Sequence, residues 1–367
     1  MSFKYSVALV HDDLIQAGGA EKVFLAISEI YPQAKLFTSI ANDQFPIGDR
    51  TQFQASFMQK IPLAHKLYRL LLPLYPLAFE SFDLSGFNIV ISSSSRFAHG
   101  VITHPDSLHV WYCYSPARYL YFQKHSLLIK PIIRGLEAWD QVAANRPDKV
   151  IVISNHVADS FEKVYGKKPD GVVYPFVNWP MFQNKTERPE TLPAVLDDVD
   201  FFLIVSRLVA WKKIELAIIA CNNLRIPLVI AGTGPDASRL KSIAGKTIFF
   251  TGYLTDEELV WYYQHCQALV MTQEEDFGMV ALEAQASGRP VVAYLAGGAK
   301  ETIIDGKTGY FFYPQTGQAL ADALKKFNAK SFDSVECRDN ALNFSKEKFL
   351  DNFNAALTNL WHNHQTI

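Results

Sequence analysis

The stretch TQEEDFGMVALEAQASGRPVV (272–292) sets two carboxylates, Glu275 and Glu283, on either side of an apolar run with a Phe-Gly pair between them. Taken alone, that spacing fits a solvated helix rim as well as a site. The preceding run ALVMT (268–272) reads as a strand, and a helical pattern starts near Gly278. Glu275 is then expected in the loop leaving the strand, and Glu283 a little over one turn inside the helix. The amides of Phe277, Gly278, Met279 and Val280 fall at the helix start, where donors lack intrahelical partners and an anion is favoured. Amides suited to phosphate, flanked by carboxylates that accept from hydroxyls, have the make-up of a sugar-nucleotide cradle.

Two cations suit the same guest. Arg207 ends the run FFLIVSR (201–207), and Lys212 follows five residues later, just before an amphipathic pattern. A guanidinium forks onto phosphate oxygens and an ammonium adds a point charge, so the pair fits a diphosphate, although two solvated surface cations are the simpler account of it in isolation. Gly18 and Gly19 open a helix after the first strand and allow a ligand close to the backbone, or form an ordinary turn. Gly232-x-Gly234-x-x-Ala237 matches the dinucleotide fingerprint in its alanine form. The next strand, TIFFTGY, is followed by no acid until Asp256, which counts against a nicotinamide cofactor. Asp198-Val199-Asp200 resembles a metal-binding D-x-D but lies at the acidic end of a linker. No other cluster has ligand spacing, and His362 and His364 read as tail residues, so no metal is expected.

These residues need a scaffold, and the chain supplies one. Short apolar runs at 6–11, 87–93, 108–114, 149–154, 201–207, 227–232, 247–252, 268–272 and 290–294 alternate with helical patterns. Continuous rather than alternating hydrophobicity implies strands covered on both faces, hence an α/β protein with parallel sheets. At 367 residues the chain suits two domains. The proline-rich, polar stretch 174–200 reads as the linker between them. We therefore expect a first domain over 1–176 and a second over 177–345. A last helix over 346–367 has apolar spacing suited to packing on the first domain. In such sheets ligands bind beyond the carboxyl ends of the strands.

Taken in order, GGAEKV, SRLVAWKKIELAI, AGTGPD, TGYLTDEEL, EDFGMVALEAQASGRPVVA and GGAKETIIDGKTGYFF resemble the retaining glycosyltransferases of family 4 over nearly the whole chain. The resemblance implies the GT-B fold, two Rossmann-like parallel-sheet domains facing across a cleft, and metal-independent transfer of a sugar from a nucleotide diphosphate with retention. By position it gives Arg207 and Lys212 the diphosphate, Glu275 the donor sugar and Glu283 the ribose. The amides of Phe277, Gly278, Met279 and Val280 would meet sugar and phosphates. Tyr253 and Leu254 would border the base, with Gly232 and Gly234 keeping the neighbouring loop low. Gly18 and Gly19 would approach the diphosphate, and Glu301 would support the sugar site. Arg207, Lys212 and Glu275 carry the catalytic expectation. One departure stands out: where many relatives have a histidine in an H-x-P-x-R loop, this chain reads YCYSPARYL, with Tyr114 in that place. Ser95 likewise replaces a frequent histidine, with Arg96 and His99 close by. His99, His104, Tyr114 and Arg118 are the acceptor-side candidates.

UDP-glucose is the expected donor, because UDP donors are frequent in such enzymes and TGYL offers no acid to read guanine. No separate cofactor is expected. The acceptor would be a glycan or lipid-linked saccharide of bacterial-type envelope or extracellular polysaccharide synthesis. A nucleotide-sugar-binding protein without transfer, and an epimerase or dehydrogenase, are the competing expectations. The net charge of -2 supplies no global field for nucleic acid. The four cysteines show no C-x-x-C spacing and read as reduced thiols. No run reaches the ~18 apolar residues of a membrane span, and the start MSFKYSVALVHDD lacks a cleavable signal pattern. A cytoplasmic location follows as the expectation. The stretch 59–79 mixes Lys60, His65, Lys66 and Arg69 with Leu and Tyr, as a helix with a solvated basic face would, or one lying on the inner face of a membrane.

Overall fold

A computed structural model describes residues 5–16, 18–42, 45, 53–123, 125–196 and 199–365. Two compact units emerge, Met1–Tyr174 with Phe349–Ile367, and Pro175–Lys348. The first holds the strands β1 (Val7–His11), β2 (Lys35–Thr38), β3 (Phe53–Ala55), β4 (Ile89–Ser94), β5 (Leu108–Cys113), β6 (Lys149–Val152) and β7 (Gly171–Val172). They form a parallel sheet in the order β3-β2-β1-β4-β5-β6-β7. The second holds β8 (Phe202–Val205), β9 (Leu228–Ala231), β10 (Ile248–Gly252), β11 (Ala268–Met271), β12 (Val291–Tyr294) and β13 (Gly309–Phe312), parallel in the order β10-β9-β8-β11-β12-β13. This is the GT-B pair of sheets.

All nine apolar runs are strands. The strands β4, β5, β9 and β11 are buried along their whole length, as continuous hydrophobicity requires. The strands that the runs did not reveal, β2, β3, β7 and β13, lie at or next to the edges of their sheets. In both sheets the chain winds one way from a starting strand and then returns to the other side of it. The reversal falls between β1 and β4 in the first unit and between β8 and β11 in the second. Ligands of open α/β sheets bind at such switch points.

The helix Lys346–Gln365 sends Phe349 and Phe353 against Tyr112 at 6.2 and 5.4 Å, and Trp361 against Tyr5 at 4.7 Å. Its apolar stripe is thus covered by the first sheet's strands. The proline-rich segment after Tyr174 is no free tether. Gln264 donates to the carbonyls of Phe182 and Asn184, and Phe182 meets the Tyr263 ring at 5.7 Å, which stitches it to the second unit. The stretch 59–79 is not one helix. Pro62, Pro73 and Pro76 break it into the turns Phe57–Lys60 and Leu72–Leu74 and the short helices Ala64–Leu67 and Tyr75–Glu80, with Leu63 left-handed at φ 57°.

Candidate active site

The second switch point carries the residues that the opening stretch suggested. Arg207 lies just beyond β8, exposed, its guanidinium without a hydrogen bond or ion pair among the described residues. Lys212 closes the turn Ala210–Lys212 with its ammonium 4.3 Å from the centre of the Trp211 ring. That ammonium is ion-paired with Oε1 of Glu275, which leaves the neighbouring strand β11. The two side chains are only 13% and 15% exposed. Gln273 Nε2 donates to the same carboxylate oxygen at 2.5 Å, and Thr272 Oγ1 donates to the Lys212 carbonyl at 2.8 Å. Both loops are therefore held in register by side chains as well as by the sheet.

Below them lies the start of the helix Met279–Ala286, with Gly278 as its left-handed N-cap at φ 101°. A side chain there would be strained. The loop from Glu275 to Phe277 rests on the turn after β12. The Gly298 amide donates to the Glu275 carbonyl at 2.8 Å. A Cβ on Gly297 would sit 2.4 Å from that carbonyl, and one on Gly298 would sit 2.4 Å from the Phe277 Cα. Phe277 itself is buried against Phe344 at 5.7 Å. Met279 and Val280 are half-buried at the helix start. Glu283, one turn on, accepts from the Tyr263 hydroxyl at 2.6 Å, and burial together with that carboxylate drives the Tyr263 pKa up. Glu301 is half-buried in the short helix Ala299–Thr302, whose Thr302 carbonyl accepts from Gln285 and Asn340 at 2.9 Å each.

Gly232 and Gly234 have a local reason to be glycine. A Cβ on the first would meet the Ser206 carbonyl at 2.0 Å, and one on the second the Leu208 carbonyl at 2.3 Å. The Gly232 amide also donates to the Gly252 carbonyl at 2.7 Å, so the loops after β8, β9 and β10 are zipped together. Tyr253 stands on this edge 79% exposed, with Leu254 tucked beneath. Asp236 is gripped by Arg239, Nε to Oδ1 at 2.7 Å and Nη2 to Oδ2 at 2.6 Å. Asp198 lies outside the described residues. No group of three or more His, Cys, Asp or Glu suited to a metal ion occurs among the described residues.

The first switch point is built differently, and sequence reasoning passed over most of it. Asp12, buried past the end of β1, accepts on Oδ1 from Ser94 Oγ (2.9 Å) and the amides of Phe97 (2.8 Å) and Ala98 (2.9 Å), and on Oδ2 from the Ser95 amide (2.8 Å). Asp13 is ion-paired with Arg96 at 2.5 Å and accepts from the Tyr75 hydroxyl at 2.8 Å and from Ser39 Oγ. Burial alone would raise the Asp12 pKa, but Arg96, His11 and the Phe97 and Ala98 amides outweigh it and hold the carboxyl below its usual range. The legible signal was the triplet His11-Asp12-Asp13 directly behind an apolar strand, where charged residues meet the sheet's binding edge.

Of the residues expected here, Gly18 and Gly19 begin the helix Gly19–Ile30, with the Gly18 amide donating to Glu21 Oε2 at 3.0 Å. Tyr114 is 8% exposed, its hydroxyl donating to the Ala20 carbonyl at 2.9 Å. Arg118 is half-buried in the short helix Arg118–Tyr121. His99 does not join them. Its ring is buried, stacked on Trp111 at 4.0 Å with Nε2 3.2 Å from Asp140 Oδ1. His104 does not join them either. It precedes β5, so it stands at the amino edge of the sheet, exposed beside Asp106 at 3.5 Å.

Residues 190–344 match the sequence model of the family described as glycosyl transferases group 1. The alpha-1,3/1,6-mannosyltransferase ALG2 of Dictyostelium discoideum is 26% identical over 301 residues, covering 68% of this chain and 70% of that protein. Glycogen synthase of Mycobacterium tuberculosis is 30% identical over 209 residues, 53% of this chain and 48% of its own. The chain thus spans about half the length of that second relative. Among solved structures, sucrose-phosphate synthase from Thermosynechococcus elongatus superposes with a TM-score of 0.75 at 20% identity, covering 98% of this chain and 100% of that one. Anabaena HepE in complex with UDP superposes with a TM-score of 0.70 at 18% identity, covering 96% and 99%. The cations beyond β8 and the acids and helix start beyond β11 lie inside residues 190–344, the segment that matches the glycosyl transferases group 1 family.

Proposed function

We propose that this glycosyltransferase moves a hexose from a nucleotide diphosphate donor, first choice UDP-glucose, to a glycan or lipid-linked saccharide, with retention and without a metal ion. The observation that carries this is the Lys212–Glu275 pair by the Gly278 helix start, beside an exposed Arg207 with no side-chain partner among the described residues. A diphosphate arriving there replaces Glu275 as the partner of Lys212, gains the Arg207 fork and meets the first-turn amides of the helix Met279–Ala286. Glu275, released, accepts from donor-sugar hydroxyls, and Glu283 from the ribose. The bond from the anomeric carbon to the diphosphate oxygen breaks, and its electron pair leaves with the phosphate. The acceptor hydroxyl attacks on the same face and passes its proton to the departing phosphate oxygen. Stabilising that leaving group is the main task of the protein, and cations do it without a metal.

Donor choice rests on the loops bordering the base. Asp236 is the one acid in AGTGPD and TGYL, and with both its oxygens on Arg239 it is not available to read guanine. HepE has been crystallised with UDP-glucose, which favours the same base, whereas the mannosyltransferase ALG2 favours another sugar. Isothermal titration with UDP, GDP and ADP should give tightest binding for UDP, and tighter binding of GDP would replace the donor. Released glucose from UDP-glucose in the absence of acceptor would exclude a mere binding protein, and product analysis by NMR would exclude an epimerase or dehydrogenase.

The acceptor side favours a lipid-linked saccharide presented at an anionic membrane. Residues 53–79 and 115–136 contain no Asp or Glu. Exposed cations Lys60, Lys66, Arg69, Lys130 and Arg134 alternate there with exposed Leu63, Leu70, Leu77 and Ile132 and with Leu127 and Leu128, which are 84% and 90% exposed. Both segments pack on one core cluster, through Ala64, Tyr75 and Ala78 and through Leu120, Ile133 and Leu136, so they cover the same side of the first sheet. No helix among the described residues is long and apolar enough to cross a membrane, so the contact would be peripheral. Flotation with vesicles containing anionic lipid should carry the protein upward, and Leu127→Ser with Leu128→Ser should weaken it. Equal behaviour with neutral vesicles would remove the proposal.

A further inference from the structure

Tyr114 occupies the place where the family resemblance leads one to expect a histidine, yet its hydroxyl is committed to protein atoms. It donates to the Ala20 carbonyl at 2.9 Å and lies 2.7 Å from Ser93 Oγ. Ser93 Oγ in turn lies 3.2 Å from Nδ1 of His11. The direction of this chain is fixed by its end. A carbonyl only accepts, so the Tyr114 hydroxyl donates to Ala20, Ser93 donates to Tyr114, and His11 donates through Nδ1–H to Ser93. His11 also stacks on Phe24, at 4.7 Å, one turn further along the same helix. Burial favours the neutral forms of both His11 and Tyr114, as the ordered chain requires. The helix Gly19–Ile30 is thereby clamped at Ala20 and Phe24 from the strands on both sides of the switch point, while Glu21 holds the Gly18 amide.

We propose that Tyr114 is a positioning residue, and that the chain His11–Ser93–Tyr114 fixes the Gly18–Gly19 helix start rather than presenting a side chain to the acceptor. The structural half of the proposal stands apart from the assigned activity; the kinetic half rests on the donor reading above.

Hydrogen exchange of the full chain, without ligand, separates the two. Tyr114→Phe keeps the ring and removes one donor, so amides 18–23 should exchange about tenfold faster or more, with the helix Asn155–Tyr165 unchanged. His11→Phe should do the same. His11→Asn, whose amide N–H stands in for Nδ1–H, should keep wild-type exchange. Should Tyr114→Phe fail to fold, Ser93→Ala interrupts the chain at its middle with a smaller change and should give the same local signature. In transfer assays Tyr114→Phe should raise the donor KM severalfold and leave the acceptor KM alone. Wild-type exchange at 18–23 in both Tyr114→Phe and Ser93→Ala overturns the proposal, as does a rise confined to the acceptor KM. A wild-type chain without transfer from any nucleotide sugar, but with the exchange pattern intact, would instead sink the donor reading and leave the clamp standing.

Discussion

The two switch points are built from similar residue types and differ in what those residues are free to do. At the first, Asp12 has four donors on its carboxylate, and Asp13 is shared among Arg96, Tyr75 and Ser39. Every charge there is spent on the fold. At the second, Lys212 and Glu275 hold one another at partial exposure, and Arg207 stands in solvent. A ligand can exchange with this ion pair because its phosphate takes over the ammonium while Glu275 keeps the Gln273 donor. It cannot exchange with a buried carboxylate whose donors would be left unsatisfied. One edge is thus available for binding, and the other is a brace that keeps its loops in place.

The sharpest way to break this comparison is Lys212→Ala. Loss of one cation from a leaving-group site should lower kcat/KM by about 10²–10³. Because Gln273 still donates to Glu275, the melting temperature should fall by only a few degrees, roughly what about 1 kcal/mol costs a domain of this size. Arg207→Ala should behave alike. Steady-state kinetics beside thermal unfolding checks both halves. Wild-type turnover in either variant removes the diphosphate from this edge, and a large fall in melting temperature would make the pair a brace like its counterpart.

The mirror-image variant is Asp12→Ala. It strips an acceptor from Ser94 Oγ and from the Ser95, Phe97 and Ala98 amides, and leaves Arg96 with Asp13 alone. Removing one partner of a buried charged network should cost about 3–5 kcal/mol, read as a lower denaturation midpoint. Asp12→Asn keeps the Oδ1 contacts but aims a donor at the Ser95 amide, and should cost less. Nucleotide affinity per folded molecule should be unchanged in both. An unaltered midpoint for Asp12→Ala would show that the network is not what holds the turn after β4.

The difference between the edges also explains what the residues told in advance. The nine strands were legible because burial on both faces demands unbroken apolar runs, and Glu275 and Lys212 drew notice because they follow such runs closely. Gly232 and Gly234 were legible as close-approach glycines, and the neighbours that a Cβ there would meet are the Ser206 and Leu208 backbones. The brace escaped notice because most of its bonds join residues distant in sequence, by more than 80 positions from Asp12 to Ser95 and from His11 to Ser93. No local pattern encodes such pairs. His104 was chosen by residue type, whereas its place before β5 rather than after it already puts it at the wrong edge. His99 lies on the right side of its strand, but the turn Ala98–Gly100 sends its ring under Trp111.

The brace makes one further, smaller prediction, about acid. Burial lowers the pKa of His11 from 6.5, against the raising effects of Glu21, Asp12 and Asp13 and with help from Arg96. Burial likewise lowers that of His109 to about 3, with His99 and Arg146 adding to it, while His109 Nε2 sits 2.9 Å from Ser92 Oγ. Both rings are more basic in the unfolded chain than in the folded one, so the unfolded state binds more protons as pH falls below 6.5. Their contribution is complete above pH 6.5 and drains away towards the folded-state values, which for His109 means down to about 3. Asp12, held low, adds its own loss further down, starting as pH falls through the ordinary value of 3.8 and continuing towards its folded-state value. The denaturation midpoint should therefore decline from pH 6.5 downward before any carboxylate titrates, and His11→Asn, which keeps the donor to Ser93 but cannot take a proton, should flatten part of that decline. A wild-type midpoint that holds steady from pH 6.5 to 5, or an unchanged slope in the variant, would mean that His11 is already solvated enough to charge in the folded protein, and the brace would then be as open as the edge that carries Lys212 and Glu275.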